Sequence, residues 1–252
     1  MSYFKQIKID GQGDGGILFV TDEADTAKKL REQGEAVLIY LHEGSRDQDF
    51  SEFRFAVEDP EGLEKDYVEK VYRRCKGLPW NVLETTRCLI RETVPEDVEA
   101  FFEIYSNPAI TEFMEDLYPD KEQEKAYIRD YIEKVYGFYG YGVWTVTEKN
   151  TGTVIGRAGF SYREGCDTPE LGFVIGAPWQ RKGYAGEVCG AILKYGWEEL
   201  GFETVQALVE PANEASLRLC DSLGFRAEQE VFVNEREFFL LKCYRRLSES
   251  IP

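Results

Sequence analysis

The sequence predicts a mixed α/β (more finely α+β) fold in two parts: a small α/β domain over residues 1–80 and a larger domain over 81–252. Before residue 76, apolar strand-like runs alternate with helical patterns. Beyond residue 86 the rhythm changes to consecutive strands that feed a helix directly. At 252 residues, 43% hydrophobic and 14% aromatic, the chain has the material for packed cores.

In the first part, ILFVTD (17–22) reads as a buried strand and EADTAKKLREQ (23–33) as a helix stopped by Gly34. AVLIYL (36–41) is a second strand, and FRFAVE (53–58), after a polar loop, a third. Residues 59–75 place Leu63, Tyr67, Val68, Val71 and Tyr72 on one helical stripe. Pro79 breaks that helix, so GLPWNVLET (77–85) is expected to be a linker. Gly11, Gly13 and Gly16 spell GxGxxG, but they precede a strand instead of following one, and read as a turn. Residues 21–41 resemble half of a haloacid-dehalogenase-like unit without its DxD nucleophile pair. That argues against phosphatase chemistry and leaves packing or substrate gating.

In the second part, CLIRET (88–93) is strand-like, and 95–107 begins with proline and acids as helices do. Residues 120–136 carry Ala126, Tyr127, Tyr131, Ile132 and Val135 at helical spacing. Strands follow at 141–149, 153–164 and 169–175, the first two joined as a hairpin across Asn150–Gly152. The helix over 183–200 buries Ala185, Val188, Cys189, Ile192 and Leu193. A strand at 203–210 leads to a short helix with Asn213 as N-cap, Gly224 at C′ and Phe225 over its end. Strands at 225–233 and 236–245 close the chain.

The net charge of −17, of which −12 lies beyond residue 80, opposes nucleic acid and anionic lipid and favours cationic partners, with a plain solvated acidic surface as the alternative. No apolar run reaches 18 residues and the N-terminus has no apolar signal core, so neither a membrane span nor export is expected. Six cysteines without a CxxC pair point to reduced thiols in a cytoplasmic setting. His42 is the sole histidine, so a multi-histidine metal centre is excluded and no metal is expected.

Residues 177–190, APWQRKGYAGEVCG, put Arg181 and Lys182 where a helix begins. Cations there oppose the helix dipole unless an anion caps that end. Gly183 admits close backbone approach, and N–H groups from 181 to 186 are placed to cradle a pyrophosphate. A plain strand–turn–helix with solvated cations is the competing reading.

Gln180, Arg181, Lys182, Gly183, Tyr184 and Ala185 are similar to the Q/R-x-x-G-x-G/A signature of the GNAT superfamily of N-acyltransferases. GRAGF (156–160), PELGFVI (169–175) and NEASLRLCDSLGF (213–225) match the same family in order. YSNPAITEFM (105–114) resembles the branch that acetylates ribosomal-protein N-terminal amines. The resemblance covers about 86–246. It implies a central mixed, mostly antiparallel sheet with flanking helices, in which strands 169–175 and 203–210 run parallel and splay. It also implies acetyl-CoA as cosubstrate. Phe173, Val174 and Ile175 would bond the pantetheine arm, Gln180 to Ala185 and Gly186 the pyrophosphate, with Asn213 and Ser216 completing the cofactor site.

Acetyl transfer to an amine needs a base for the ammonium proton, donors for the thioester carbonyl and an acid for the departing thiolate. Glu170 is the candidate base, acting directly or through a water, with an ordinary surface glutamate as the alternative, and a backbone N–H at Val174 or a neighbour is the candidate donor. Many relatives place a tyrosine seven residues after the asparagine; here Cys220 stands there. Its thiol is a candidate acid, an apolar filler is the alternative, and Ser216, one turn earlier, is the rival donor. The acceptor is expected across the sheet from the cofactor, near 110–120 and 137–144, where Glu112, Glu115, Asp116, Tyr118, Tyr139 and Tyr141 offer charge and ring faces; core aromatics and a solvated acidic loop are the alternative. The expected activity is acetyl transfer to a primary amine of a small molecule or peptide N-terminus, by direct attack in a ternary complex. A non-catalytic acetyl-CoA-binding sensor is the alternative, kept open by Cys220. No nucleic-acid or membrane partner is expected, and a homodimer is left open.

Overall fold

The computed structural model describes residues 2–9, 15–114, 116–163 and 167–245, and divides into two compact units, Met1–Trp80 and Asn81–Pro252. Gly11, Gly13, Glu115 and Cys166 lie outside the described residues.

The first unit contains β1 (Phe4–Ile9), β2 (Gly16–Thr21), α1 (Ala24–Glu32), β3 (Ala36–Tyr40), β4 (Ala56–Val57) and α2 (Lys65–Cys75). Its sheet runs β1-β2-β3-β4, parallel except for the antiparallel edge strand β1. Side-chain alternation splits the core. Leu18, Val20 and Leu38 meet Val68, Val71 and Tyr72 of α2, while Val37 and Ile39 meet Ala27 of α1. The sequence hides β1 because lysines interrupt its alternation, yet Ile7 and Ile9 join the α2 cluster. The expected strand at 53–58 shrinks to Ala56–Val57. The expected helix at 59–75 starts only at Lys65. Asp59 explains the delay: its carboxylate accepts from the N–H groups of Glu61 and Gly62 at 3.0 and 3.3 Å, a turn that competes with helix.

The second unit begins with β5 (Asn81–Glu84), a strand where the sequence reads as linker. Val82 is buried, which rewards pairing with β6 (Cys88–Arg91). After a 3₁₀ turn at Pro95–Asp97 come α3 (Val98–Tyr105), α4 (Pro108–Thr111), α5 (Lys121–Tyr131), a π segment at Ile132–Tyr136 and α6 (Gly137–Tyr139). The expected helix at 95–107 ends at Tyr105, and Asn107 starts α4 by accepting from the Ala109 N–H at 3.1 Å. Then follow β7 (Val143–Glu148), β8 (Val154–Ser161), β9 (Glu170–Ile175), α7 (Tyr184–Glu198), β10 (Thr204–Val209), α8 (Glu214–Ser222), β11 (Arg226–Val233) and β12 (Arg236–Tyr244).

The sheet order is β11-β12-β10-β9-β8-β7-β6-β5. Among the described residues every neighbouring pair is antiparallel except β9 with β10. Helices cover both faces. Arg157 of β8 lies over the Phe101 ring of α3 at 4.8 Å, whereas Phe160, of opposite parity on the same strand, packs against Gly196 of α7. Among the described residues no helix is long and apolar enough to cross a membrane.

Candidate active site

β9 and β10 pair at one point, Gln206 with Glu170, where the Gln206 N–H donates to the Pro169 carbonyl at 2.9 Å. Beyond that point they part. The other edge of β9 is laddered to β8 along its length. The Gly176 N–H donates to the Ile155 carbonyl at 2.8 Å, which fixes the parity of that ladder. Antiparallel alternation then commits the main chain of Val174 to β8 and turns that of Phe173 and Ile175 toward the gap. Val174 is therefore not a main-chain donor to the gap, which corrects that member of the expected set and leaves its neighbours Phe173 and Ile175. The Ile175 carbonyl is taken by Gln180 Nε2 at 2.9 Å, so Gln180 braces the strand end. The groups facing the gap include the N–H and carbonyl of Phe173 and the N–H of Ile175.

Side-chain parity gives the strand two chemical faces. Val174 packs against Ile104, Tyr105 and Ile110 of α3 and α4, so Glu170 and Gly172 share that face. A Cβ built on Gly172 would meet no atom within 4 Å. Open space therefore lies between Glu170 and Val174, beside the parting strands.

The loop after β9 turns through Arg181 (φ 57°) and Gly183 (φ 80°) into α7. Gly183 is the N-cap and supplies no side-chain capping bond; the Glu187 N–H donates to its carbonyl at 3.1 Å. The N–H groups of Tyr184, Ala185 and Gly186 thus stand unpaired by the helix, at the positive end of a 15-residue dipole. Successive main-chain N–H groups in such a loop form an anion-binding concavity.

Behind the loop lies a cluster that the sequence reading missed. Arg87 donates through its N–H and Nε to the two Glu187 oxygens at 2.8 and 2.6 Å, and through Nη1 to the Lys182 carbonyl at 2.9 Å. Its guanidinium sits 4.1 Å above the Tyr184 ring, and the Tyr184 hydroxyl donates to Glu148. Desolvation pushes the Glu187 carboxyl up, but hydrogen bonds from Thr85 and Arg87 outweigh it and hold it below the ordinary range. Hydrogen bonds from Tyr184 and Thr151 lower that of Glu148. Folded values below unfolded ones mean that these contacts stabilise above the ordinary carboxylate range and fail as pH falls through the lowered values.

Among the proton-transfer candidates, Glu170 is bound by Arg163 through Nε and Nη2 at 3.1 and 3.2 Å. Asn213 caps α8, its Oδ1 accepting from the Ser216 N–H at 3.1 Å. The helix ends as its sequence indicates: Gly224 has φ 93°, and the N–H groups of Gly224 and Phe225 donate to the carbonyls of Asp221 and Cys220. Ser216 is half-buried on the first turn of α8. Cys220 has 0% of its surface accessible, and desolvation, with Cys243 adding to it, pushes its thiol up to about 11. Donation from such a group to a thiolate of ordinary basicity, about 8.5, runs uphill. Cys220 is core, which corrects its reading as an acid.

Two of the expected acceptor groups lie elsewhere. Tyr141 packs on Phe160 and Phe202 at 6.3 and 5.2 Å, in the cluster that meets α7, and Tyr139 stacks on Tyr162 at 5.2 Å. That is the face opposite Gly172. Tyr118 packs on Tyr127, and Asp116 accepts from the Leu117 N–H at 2.8 Å. The carbonyl of Glu112 accepts from Arg236 Nη2 at 3.1 Å, and Arg236 also pairs with Glu210, just beyond β10. Among the described residues no three histidine, cysteine or acidic side chains converge to hold a metal.

A family model described as an acetyltransferase (GNAT) domain matches residues 87–226. YoaA of Bacillus subtilis (strain 168), an uncharacterized N-acetyltransferase, is 30% identical over 154 residues, covering 58% of this chain and 84% of its own. Ribosomal-protein-S5-alanine acetyltransferase from Vibrio fischeri shares the fold with a TM-score of 0.56 at 17% identity, over 64% of this chain and 95% of its own. Spermidine N-acetyltransferase from Vibrio cholerae, in complex with CoA and spermine, does so with a TM-score of 0.54 at 17% identity, over 63% and 96%.

Proposed function

The chain belongs to the GNAT acetyltransferase family, and we propose that it transfers the acetyl group of acetyl-CoA to a primary amine of a small molecule or peptide N-terminus by direct attack in a ternary complex. One observation carries the reading: a parted parallel strand pair and an uncapped helix N-terminus both follow the same end of β9. A buried main-chain group left unbonded costs about 1–3 kcal/mol, and a thioester arm lying in the gap would satisfy several at once.

Acetyl-CoA supplies the activated acyl group. The loop N–H groups from Arg181 to Gly186, with the Arg181 and Lys182 side chains, hold its diphosphate against an otherwise acidic protein. Phe173 and Ile175 hold the pantetheine arm by main chain, and Val174 forms an apolar wall. Asn213 keeps α8 in place and offers its amide nitrogen. Glu170 takes the ammonium proton, and the amine attacks the thioester carbon while the Phe173 N–H bonds the carbonyl oxygen. As the carbon–sulfur bond breaks, the Ser216 hydroxyl relays the second proton of the attacking nitrogen to the sulfur, giving one proton and taking the other, so that no alkoxide is left. The net negative charge favours cationic acceptors such as polyamines or peptide amines.

Acetyl-CoA is expected to raise the melting temperature; at 100 times its Kd the native state gains about 2.7 kcal/mol. No shift at millimolar ligand rejects the reading. Thiol release across a panel of mono-, di- and polyamines and short peptides then separates an enzyme from a non-catalytic sensor, a reading that the loss of an acid at Cys220 favours. Ser216→Ala is expected to lower kcat about 10²-fold, and Cys220→Ala to change it less than about twofold. The reverse order would reinstate the thiol as proton donor.

A further inference from the structure

We propose that Arg87 is a positioning residue for the coenzyme diphosphate, an inference that rests on the reading above. Arg87 lies on the turn between β5 and β6, 100 residues from Glu187, and the two meet behind the loop that leads into α7. Its effect on the loop follows from peptide geometry. In a planar trans peptide the carbonyl and the following N–H point in opposite directions. With the Lys182 carbonyl drawn back onto Arg87 Nη1, the Gly183 N–H is turned to the open side of the loop, where an anion would lie.

The second effect is on charge. Glu187 stands in the first turn of α7, where a carboxylate suits the helix dipole but opposes a bound anion. Arg87 binds both of its oxygens and cancels that charge. Its guanidinium, packed on the Tyr184 ring, also fixes the first helical residue. Nη2 has no hydrogen-bond partner among the described residues and lies 3.5 Å from where a Cβ on Gly183 would stand. One side chain thus sets the direction of a donor, the local charge and the entry angle of the helix. It does so without approaching Glu170, so its loss falls on binding and leaves the chemical step intact.

The test is calorimetric titration of CoA into the full-length protein, with steady-state kinetics at saturating acetyl-CoA. Arg87→Gln is expected to weaken CoA about tenfold or more while kcat stays within about twofold. Arg87→Lys, which keeps the charge but cannot hold both partners, is expected to fall between. The double variant R87Q/E187Q is expected to bind CoA at least about threefold tighter than R87Q, because the opposing carboxylate is gone. A general structural role predicts the opposite, since the double variant loses both partners of the contact. CoA affinity within twofold of wild type in R87Q, an equal fall in kcat, or a double variant no tighter than the single one overturns the inference. Wild-type protein that binds no CoA would instead remove the functional reading beneath it.

Discussion

Glu170→Gln is expected to lower kcat by about 10²–10⁴ while leaving the affinity for acetyl-CoA within about twofold. Glutamine keeps the shape and an oxygen for Arg163, but its amide takes no proton at neutral pH. Glu170 is the last residue of β9 paired to β10, and its side chain shares the face of Gly172 and Val174. The groups that hold the cosubstrate lie beyond it, so binding should not register the change. The Arg163 pair does not veto the role. With Arg163 41% exposed, such a pair contributes at most about 1 kcal/mol, so releasing one oxygen is inexpensive beside the rate at stake. Steady-state kinetics with calorimetry checks both halves; unchanged turnover removes Glu170 as the base.

The parts of the site legible in the sequence are those whose logic is local. The loop from Gln180 to Gly186 and the caps of α8 each depend on residues within a turn or two. Asn213, Gly224 and Phe225 sit as their residue types dictate. What stayed hidden depends on register or distance. Whether the main chain of Val174 or Phe173 faces the gap is a matter of ladder parity, which the hydrophobic pattern does not fix when both faces of a strand are covered. Parity also sends Tyr141 to the α7 side through its contact with Phe160. Arg87 and Glu187 are remote in sequence and belong to no shared periodicity; a lone arginine before a strand reads as surface. Cys220 fits a proton donor by position in the helix, and only its burial among other thiols disqualifies it. The edge strands β1 and β5 leave little mark on the sequence because half-exposed strands carry little apolar signal.

The second large effect is expected at Gly172. A leucine there has room to enter the structure, since a Cβ meets nothing within 4 Å and the glycine is not held at positive φ. Gly156 on β8 is the contrast: a Cβ there would overlap the Val174 carbonyl oxygen, so that glycine serves the fold. Gly172 serves no packing contact on its face, and the space it leaves adjoins the gap and Glu170. If the amine reaches the thioester from this side, a side chain at 172 stands in its path. Displacements of about 1 Å at such a point cost about 10² in rate. Gly172→Leu is therefore expected to lower kcat/KM for the amine about 100-fold or more, with CoA affinity and melting temperature close to wild type. Kinetics that stay normal would mean that the acceptor arrives from the α7 side. Because Glu170 shares the face of Gly172, that result would also take away its access to the ammonium proton, so the two substitutions test one geometry from two directions.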